Sequence, residues 1–556
     1  MSDIKTIVLK FGGSVLADEQ SLTQAVHEIY RWKRDGWRVV AVVSAFAGKT
    51  NALIAAAAKS FDRALPASVA PVVAGGELES AALLGVLLDR AGIPASVISP
   101  MALGLLARGD ALNAVPCELN TKLLERALEA DGVVVVPGFI GVDDFGRTVL
   151  LGRGGSDLSA LFIASKIRGA RCRLVKDVHS FYDRNPNLPG PPVKRYVRSS
   201  WNDALSTDGK VIMHQAVKLA QDAGLHFELG CVNSADPSVI GGDRSELVIA
   251  KMEHRPLRVA LLGLGSVGRG VFDHLRAQPK RFEVVSVVAR DVERHVAAGV
   301  PRELFVDPKN SSYDVLVEAV GGIEPALTFV RGALEAGRHV VTANKALIAA
   351  HGDELRALCK RTGATLRYSA SVGGGLPVIE TVRRIASRGV VSIEAVMNGT
   401  SNFVLDLVRS GKSLADAVAE AQRLGFAEAD PSRDLDGRDA GDKVTVIAQE
   451  LGVKIGEIRR VGITAESAAA ALAGGTRVPR QVARLNVKTG EASVAVEGVD
   501  PSHPLALLRE EQNGVIFTLA DGSKVHLIGR GAGRWPTAES VMADVLEIAR
   551  ESEVRS

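Results

Sequence analysis

The feature that most constrains this chain is a recurrence of short, continuously apolar, β-branched runs separated by helix-length stretches. Thr6-Ile7-Val8-Leu9, Val39-Val40-Ala41-Val42-Val43, Val133-Val134-Val135-Val136, Arg258-Val259-Ala260-Leu261-Leu262 and Val284-Val285-Ser286-Val287-Val288 lack the apolar/polar alternation of a half-exposed strand. Runs of this kind are buried on both faces, which calls for largely parallel sheets covered by helices, so both halves read as α/β. At 556 residues the chain is too long for one core. The polar segment Lys251-Met252-Glu253-His254-Arg255-Pro256 immediately precedes a new strand and reads as the join between two halves.

Several function classes fall away on composition. No stretch reaches the roughly 20 uninterrupted apolar residues of a membrane span, and Met1-Ser2-Asp3-Ile4-Lys5 runs into a strand without a secretory pattern. A cytoplasmic protein without membrane attachment is expected. The net charge is +3, with basic and acidic residues interspersed, which points to small anionic ligands rather than nucleic acid. Cys117, Cys172, Cys231 and Cys359 are too far apart for a zinc pair or a disulfide framework and read as buried free thiols.

In the second half, the strand before Gly263-Leu264-Gly265-Ser266-Val267-Gly268 and the helical pattern after it form a strand-turn-helix unit. Glycines at this spacing allow a tight turn, close approach to a pyrophosphate and close helix packing, while the helix N-terminus favours the anion. This predicts a Rossmann dinucleotide-binding domain. The second strand ends at Arg290, which could pair with the 2′-phosphate of NADP or be a solvated strand-end arginine beside Asp291. Two further strands end at Gly321-Gly322 and at Thr342-Ala343-Asn344-Lys345, on the edge where open parallel sheets bind ligands. If the dinucleotide exchanges hydride with an aldehyde, as the family resemblance set out below implies, a cation or acid is needed beside the oxygen where charge develops, and Lys345 and Lys443 are the candidates. Asp439 and Lys443, four apart, would share a helix face, where an ordinary surface ion pair is the bland alternative.

The glycine loop, Thr342 to Lys345, Ser371-Val372-Gly373-Gly374-Gly375-Leu376-Pro377, Asn398-Gly399-Thr400-Ser401-Asn402-Phe403 and Gly425-Phe426-Ala427-Glu428-Ala429-Asp430-Pro431, followed by Asp434, Asp436, Asp439 and Lys443, together resemble homoserine dehydrogenase over 257 to 547. The resemblance implies that Glu428 and Asp439, with Asp434 and Thr400, hold an amino-acid substrate and that Lys443 lies at the carbonyl. NADP or NAD would sit on Gly263, Gly265, Ser266, Val267, Gly268, Arg290, Gly321, Thr342, Asn344, Lys345 and Gly533. It also implies a sodium or potassium ion on the backbone of Val372, Gly374 and Leu376, where Ser369 stands in place of an acidic residue. Domains are expected at 257 to 375, completed by about 506 to 550, with an α+β substrate and dimerisation domain at 376 to 505. Aspartate-semialdehyde dehydrogenase, a rival, needs a nucleophilic cysteine, whereas Cys359 reads as a helix residue.

In residues 1 to 250, strand ends lead to Lys10-Phe11-Gly12-Gly13-Ser14 and to Ser44-Ala45-Phe46-Ala47-Gly48-Lys49-Thr50-Asn51, which suit cradling phosphates without being a Walker loop. With Glu77, Gly152-Arg153-Gly154-Gly155-Ser156-Asp157, Lys176-Asp177-Val178 and Tyr182-Asp183, the pattern is similar to aspartokinase of the amino-acid kinase fold. The resemblance implies that Lys10 stabilises the transferring phosphoryl group, lined by Gly12, Gly13 and Ser14. Arg153 would bind a substrate carboxylate, with Asp157, Glu77 and Thr50 nearby. ATP, with magnesium, would sit near Asp177, Tyr182, Asp183 and Lys210. The family's Leu-His-Pro reads Met213-His214-Gln215 here, and its threonines are Val149, Leu150 and Leu151. A bifunctional homo-oligomer, dimeric or higher, acting on small molecules is expected, without the ACT domains that fused enzymes of this kind carry. The alternative is a kinase-like half that is only a binding or assembly module.

Overall fold

The computed structural model describes residues 5–250, 255–473, 475–510 and 512–555. Of the expected join at 251–256, residues 251–254 lie outside the described residues. The chain divides into two compact units, Met1–His254 with Ala549–Ser556, and Arg255–Ile548.

The first unit is built on a nine-stranded sheet in the order Glu246–Ile249, Lys194–Ser199, Ser238–Ile240, Phe227–Gly230, Arg171–Val175, Thr6–Phe11, Arg38–Val43, Val133–Pro137, Ser96–Val97. Its five central strands, from Phe227–Gly230 to Val133–Pro137, pair in parallel. The valine runs lie there: Val8, Val40, Val42, Val134 and Val136 are fully buried, at about 1.5–3 kcal/mol for each side chain taken out of water. The helix Pro66–Arg90 is long and apolar enough, by length and composition, to cross a membrane. It buries Val73, Ala81, Leu84 and Leu88 inside the unit, together with Glu77 and Ser80; the Ser80 hydroxyl donates to the Ser44 carbonyl at 2.7 Å.

The second unit has two sheets. The nucleotide-type sheet is fully parallel, in the order Phe282–Val288, Leu257–Leu262, Val315–Glu318, His339–Thr342, Leu366–Arg367. The chain leaves Leu257–Leu262 toward one side and later continues on the other, so the crevice for a ligand opens at the C-terminal ends of Leu257–Leu262 and Val315–Glu318. The other sheet is mostly antiparallel, in the order Arg459–Arg460, Ala492–Val499, Val478–Asn486, Val390–Val396, Gln512–Leu519, Lys524–Arg530.

That pairing corrects the expected boundary at 505. Gln512–Leu519 pairs along Val390–Val396 and Lys524–Arg530 pairs with Gln512–Leu519, so the inserted sheet runs to Arg530, because its two last strands find their backbone partners there. The helix Arg534–Arg555 returns to the nucleotide fold through its first turn. Arg534 donates to Asp273 at 2.6 Å and Trp535 packs edge-on against His274, both on the helix that follows the glycine loop. Of the four cysteines expected to be buried, only Cys172 is; Cys117, Cys231 and Cys359 are partly exposed.

Candidate active sites

In the second unit the glycine loop has the strand-turn-helix setting its spacing predicts, between Leu257–Leu262 and Ser266–Arg276. Gly263 has φ +98°, and a Cβ on Gly268 would stand 2.1 Å from the Gly263 carbonyl oxygen, so both positions exclude a side chain. Nothing lies within 4 Å of a Cβ on Gly265, at the helix N-terminus. The residues therefore fit a dinucleotide, with open space where a pyrophosphate approaches. Arg290 is exposed at the end of the second strand. The adjacent Asp291 spends its carboxylate on the Arg294 N–H, capping Val292–Ala297.

Across the crevice, Glu318 ends its strand fully buried and accepts the N–H groups of Val320 (2.8 Å) and Gly321 (3.3 Å) as well as the Thr342 hydroxyl. Thr342 in turn accepts the Asn344 N–H at 3.0 Å, and Asn344 caps the helix Lys345–Thr362 while its amide donates to Gly322 O. The loop at Gly321 and the Thr-Ala-Asn-Lys turn are thus one hydrogen-bonded assembly at the sheet edge. Glu318 is a residue that the sequence reading did not single out.

Lys345 is the first residue of its helix, Asp439 lies in the first turn of Arg438–Glu450, and Asn398 is the N-cap of Gly399–Arg409. Three helix N-termini converge there, which favours negative charge at their meeting point. Asp439 is that charge: Oδ1 is 2.9 Å from Lys345 Nζ and Oδ2 is 2.8 Å from Lys443 Nζ. Lys443 also donates to the Met397 carbonyl. Asp439 and Lys443 are 6% and 9% exposed, so their pairing is not the exposed surface ion pair that spacing alone allowed. Burial would raise the Asp439 carboxyl, yet Lys443 and Lys345 hold it far below the ordinary carboxylate range. Burial would lower Lys345, but Asp439, with Asp442 and Asp434 behind it, keeps its ammonium above the ordinary value.

The acidic run does not act as one group. Asp434 joins the cluster through Asn398, at 2.7 Å. Asp436 pairs with Arg438 and Asp442 with Arg433, at 2.6 and 2.8 Å. Glu428 is exposed, and its backbone carbonyl takes the Gln422 amide. Thr400 donates to Phe426 O at 2.6 Å, tying the Asn-Gly-Thr turn to the segment that carries Glu428. Gly533 is exposed, with φ +111°. Around the expected monovalent-cation backbone, the Leu376 carbonyl already accepts Val378 N–H at 2.8 Å, and the Ser369 hydroxyl contacts Glu380 and Asp544.

In the first unit Lys10 and Asp157 are 6% and 3% exposed and pair at 2.7 Å. Lys176, just past the end of the adjacent strand Arg171–Val175, takes the other Asp157 oxygen at 2.8 Å. Asp157 lies in the first turn of Gly155–Lys166, so a helix N-terminus and two ammonium groups face one place at the C-terminal sheet edge. Burial drives Lys10 down to about 8 against the pull of Asp157, and Asp157, despite burial, is held at about 2 by Lys10 and Lys176. Asp157, expected near the substrate, has each of its oxygens paired with a lysine.

Lys176 is a further residue the sequence did not single out, while the expected nucleotide lysine, Lys210, is exposed and paired with Asp208 at 2.9 Å. Gly12 is buried, Gly13 and Thr50 partly so, and Ser14 and Arg153 are exposed. Glu77 is 2% exposed; its Oε1 accepts Ala45 N–H at 3.3 Å, and burial pushes it up to about 7. Asp177 and Asp183 are exposed and Tyr182 half-buried, with Asp183 taking the Lys194 N–H at 3.0 Å. Among the described residues no cluster of three or more His, Cys, Asp or Glu could hold a metal.

A parallel nucleotide sheet facing a buried lysine-carboxylate-lysine cluster defines the second unit as a nicotinamide-dependent dehydrogenase, and the first as a phosphoryl-transfer fold. Residues 377–546 match the model of homoserine dehydrogenase, 263–369 that of the homoserine dehydrogenase NAD binding domain, and 5–227 that of the amino acid kinase family. A homoserine dehydrogenase of Pseudomonas aeruginosa is 35% identical over 317 residues, covering 53% of this chain and 73% of its own. An NAD(+)-dependent homoserine dehydrogenase of Pseudomonas canavaninivorans is 38% identical, covering 43% of this chain and 72% of its own. The crystal structure of a homoserine dehydrogenase from Thiobacillus denitrificans aligns with TM-score 0.50 at 30% identity, over 54% of this chain and 74% of that one. The chain belongs to the homoserine dehydrogenase family, carrying an amino acid kinase domain at its N-terminus.

Proposed function

We propose that this is a bifunctional enzyme of the aspartate pathway: the second unit interconverts aspartate 4-semialdehyde and homoserine, and the first phosphorylates aspartate. The observation that carries the first activity is Asp439 bridging Lys345 and Lys443, within a unit whose glycine loop fits a dinucleotide. A bound nicotinamide supplies or accepts the hydride. Gly263, Gly265, Ser266, Val267 and Gly268 hold its phosphates, and the assembly of Gly321, Thr342 and Asn344 shapes the crevice. Exposed Arg290 at the end of the second strand suits the 2′-phosphate of NADP. Asp439 holds both ammonium groups at one point, where either lysine neutralises an alkoxide and gives or takes the proton at the carbonyl oxygen. Asp434, beside Asp439 and facing the same space, and Glu428 on the adjoining segment suit a substrate ammonium.

In the kinase unit Lys10 and Lys176 stabilise the transferring phosphoryl group, with Asp157 positioning both. Exposed Arg153 suits the substrate carboxylate, Glu77 its ammonium, and ATP enters as its magnesium complex near Asp177, Tyr182 and Asp183. The weak net charge of +3 fits small-molecule substrates rather than nucleic acid.

The test uses the full chain. Homoserine-dependent reduction of NAD(P) should fall by orders of magnitude in Lys443→Ala, with cofactor affinity nearly intact; unchanged turnover removes Lys443 from the chemistry. ATP-dependent trapping of aspartyl phosphate as its hydroxamate should vanish in Lys10→Ala and in Lys176→Met and persist in Lys210→Ala. No hydroxamate from the wild type, with the dehydrogenase intact, makes the first unit a binding or assembly module.

A further inference from the structure

Asn398 stands beside the buried lysine-carboxylate-lysine cluster of the dehydrogenase site. Its single amide nitrogen donates to Asp434 Oδ1 at 2.7 Å and to Asp439 Oδ2 at 2.9 Å. Its own oxygen accepts Ser401 N–H at 2.8 Å, capping Gly399–Arg409, and the residue is 7% exposed. The preceding residue, Met397, accepts Lys443 through its carbonyl. Two consecutive residues at the end of Val390–Val396 therefore hold the lysine, the carboxylate that orients it, and the neighbouring Asp434. An amide –NH₂ has two protons in a fixed plane, so serving two carboxylates fixes their separation as well as their directions. Being neutral, it does so without competing for the charge that holds Lys345 and Lys443.

We propose that Asn398 is a positioning residue that sets substrate chain length: by tying Asp434 to Asp439 it fixes the span between the point that receives the substrate ammonium and the lysines at its carbonyl. Among the described residues Asp434 Oδ2 accepts no hydrogen bond, which leaves it for that ammonium. The inference rests on the reading that this site handles an amino-acid alcohol and aldehyde, and it identifies which residue selects four carbons over five. The selected class is a 2-amino-acid whose hydroxyl or aldehyde carbon is two carbons beyond the α-carbon.

Two variants keep the helix cap while altering the bridge, since serine and aspartate both cap well. Asn398→Ser is too short to reach both acids. Oxidation of homoserine by Asn398→Ser should lose about 10- to 100-fold in kcat/KM, the range for lost hydrogen bonds to charged groups. The wild type should discriminate against 2-amino-5-hydroxypentanoate by about 10- to 200-fold, as a pocket does for one methylene, and the variant should lose most of that ratio with its NAD(P) affinity unchanged. Asn398→Asp puts a third carboxylate beside Asp434 and Asp439, facing Lys345 and Lys443, with Asp442 and its partner Arg433 the other charges nearby. Added negative charge raises the proton affinity of the lysines, so the acidic limb of homoserine oxidation should move to higher pH.

A residue with only a folding role would lower both substrates equally and leave the pH limb in place, and that result overturns the inference. A ratio in Asn398→Ser within about twofold of wild type does the same. If the wild-type chain oxidises neither substrate, the reading of the site itself fails, and this inference with it.

Discussion

Replacing Asp439 with asparagine keeps the side chain's shape while removing the one negative charge that two ammonium groups share. In the native site that carboxylate lies 2.9 Å from Lys345 and 2.8 Å from Lys443 and accepts a further bond from Asn398 at 2.9 Å. A hydrogen bond to a charged group contributes about 1.5–3 kcal/mol. Because the Lys345 side chain is 34% exposed, solvent screening keeps its share at the low end. With Asp439 neutral, the Lys345 ammonium loses the carboxylate that holds it above its ordinary value, so it should give up its proton at lower pH in the variant. The sign follows from the charge: the carboxylate stabilises the ammonium, so its removal favours the neutral amine. Aldehyde reduction needs the protonated lysine, so the alkaline limb of kcat/KM should move to lower pH, and the maximal rate should fall about 10²–10³-fold as the ammonium groups lose their orientation. The assay is NAD(P)H oxidation with aspartate semialdehyde across pH, with cofactor affinity and thermal melting as controls for folding. A variant whose alkaline limb stays put and whose rate lies within about threefold of wild type would refute the bridging argument.

Other outcomes follow from the same geometry. Gly268→Ala drives a Cβ to 2.1 Å from the Gly263 carbonyl oxygen, so the loop must open; NAD(P) affinity by fluorescence titration should weaken at least about tenfold, and unchanged binding would count against the dinucleotide loop. With burial raising Glu77 to about 7, the Glu77 carboxylate available to a substrate ammonium grows as pH rises through that value; the KM for aspartate should fall between about pH 6 and 8, and Glu77→Gln should flatten the profile. The chain passes from one unit at His254 to the next at Arg255, so threonine or lysine at millimolar level should leave both rates nearly unchanged. Strong inhibition would reveal an effector site elsewhere.

Much of this protein was readable before folding because it depends on local chemistry. The fully apolar valine runs can only be central parallel strands, and Val39–Val43 and Val133–Val136 became fully buried neighbours. The glycine spacing at Gly263, Gly265 and Gly268 works over six residues, where the backbone alone decides what fits. The individual lysines and acids were legible as chemistry-bearing residues, but their partners were not. Asp439 and Lys443, four apart, looked like an ordinary surface pair until burial was known; Lys345 lies on another element and reaches the same carboxylate only through packing of its helix against Arg438–Glu450. The sequence singled out Lys210 and passed over Lys176, and the fold pairs Lys176 with nearly buried Asp157 while leaving Lys210 in solvent. Asn398 and Glu318 were hidden for the same reason: an amide or a carboxylate acquires a task only when the groups it must bond, up to 41 residues away for Asn398 and Asp439, are brought within 3 Å. Periodicity and turn chemistry are properties of neighbouring residues, whereas desolvation and charge pairing belong to the space between distant ones. The tertiary structure therefore decided which of the candidate charges form the sites.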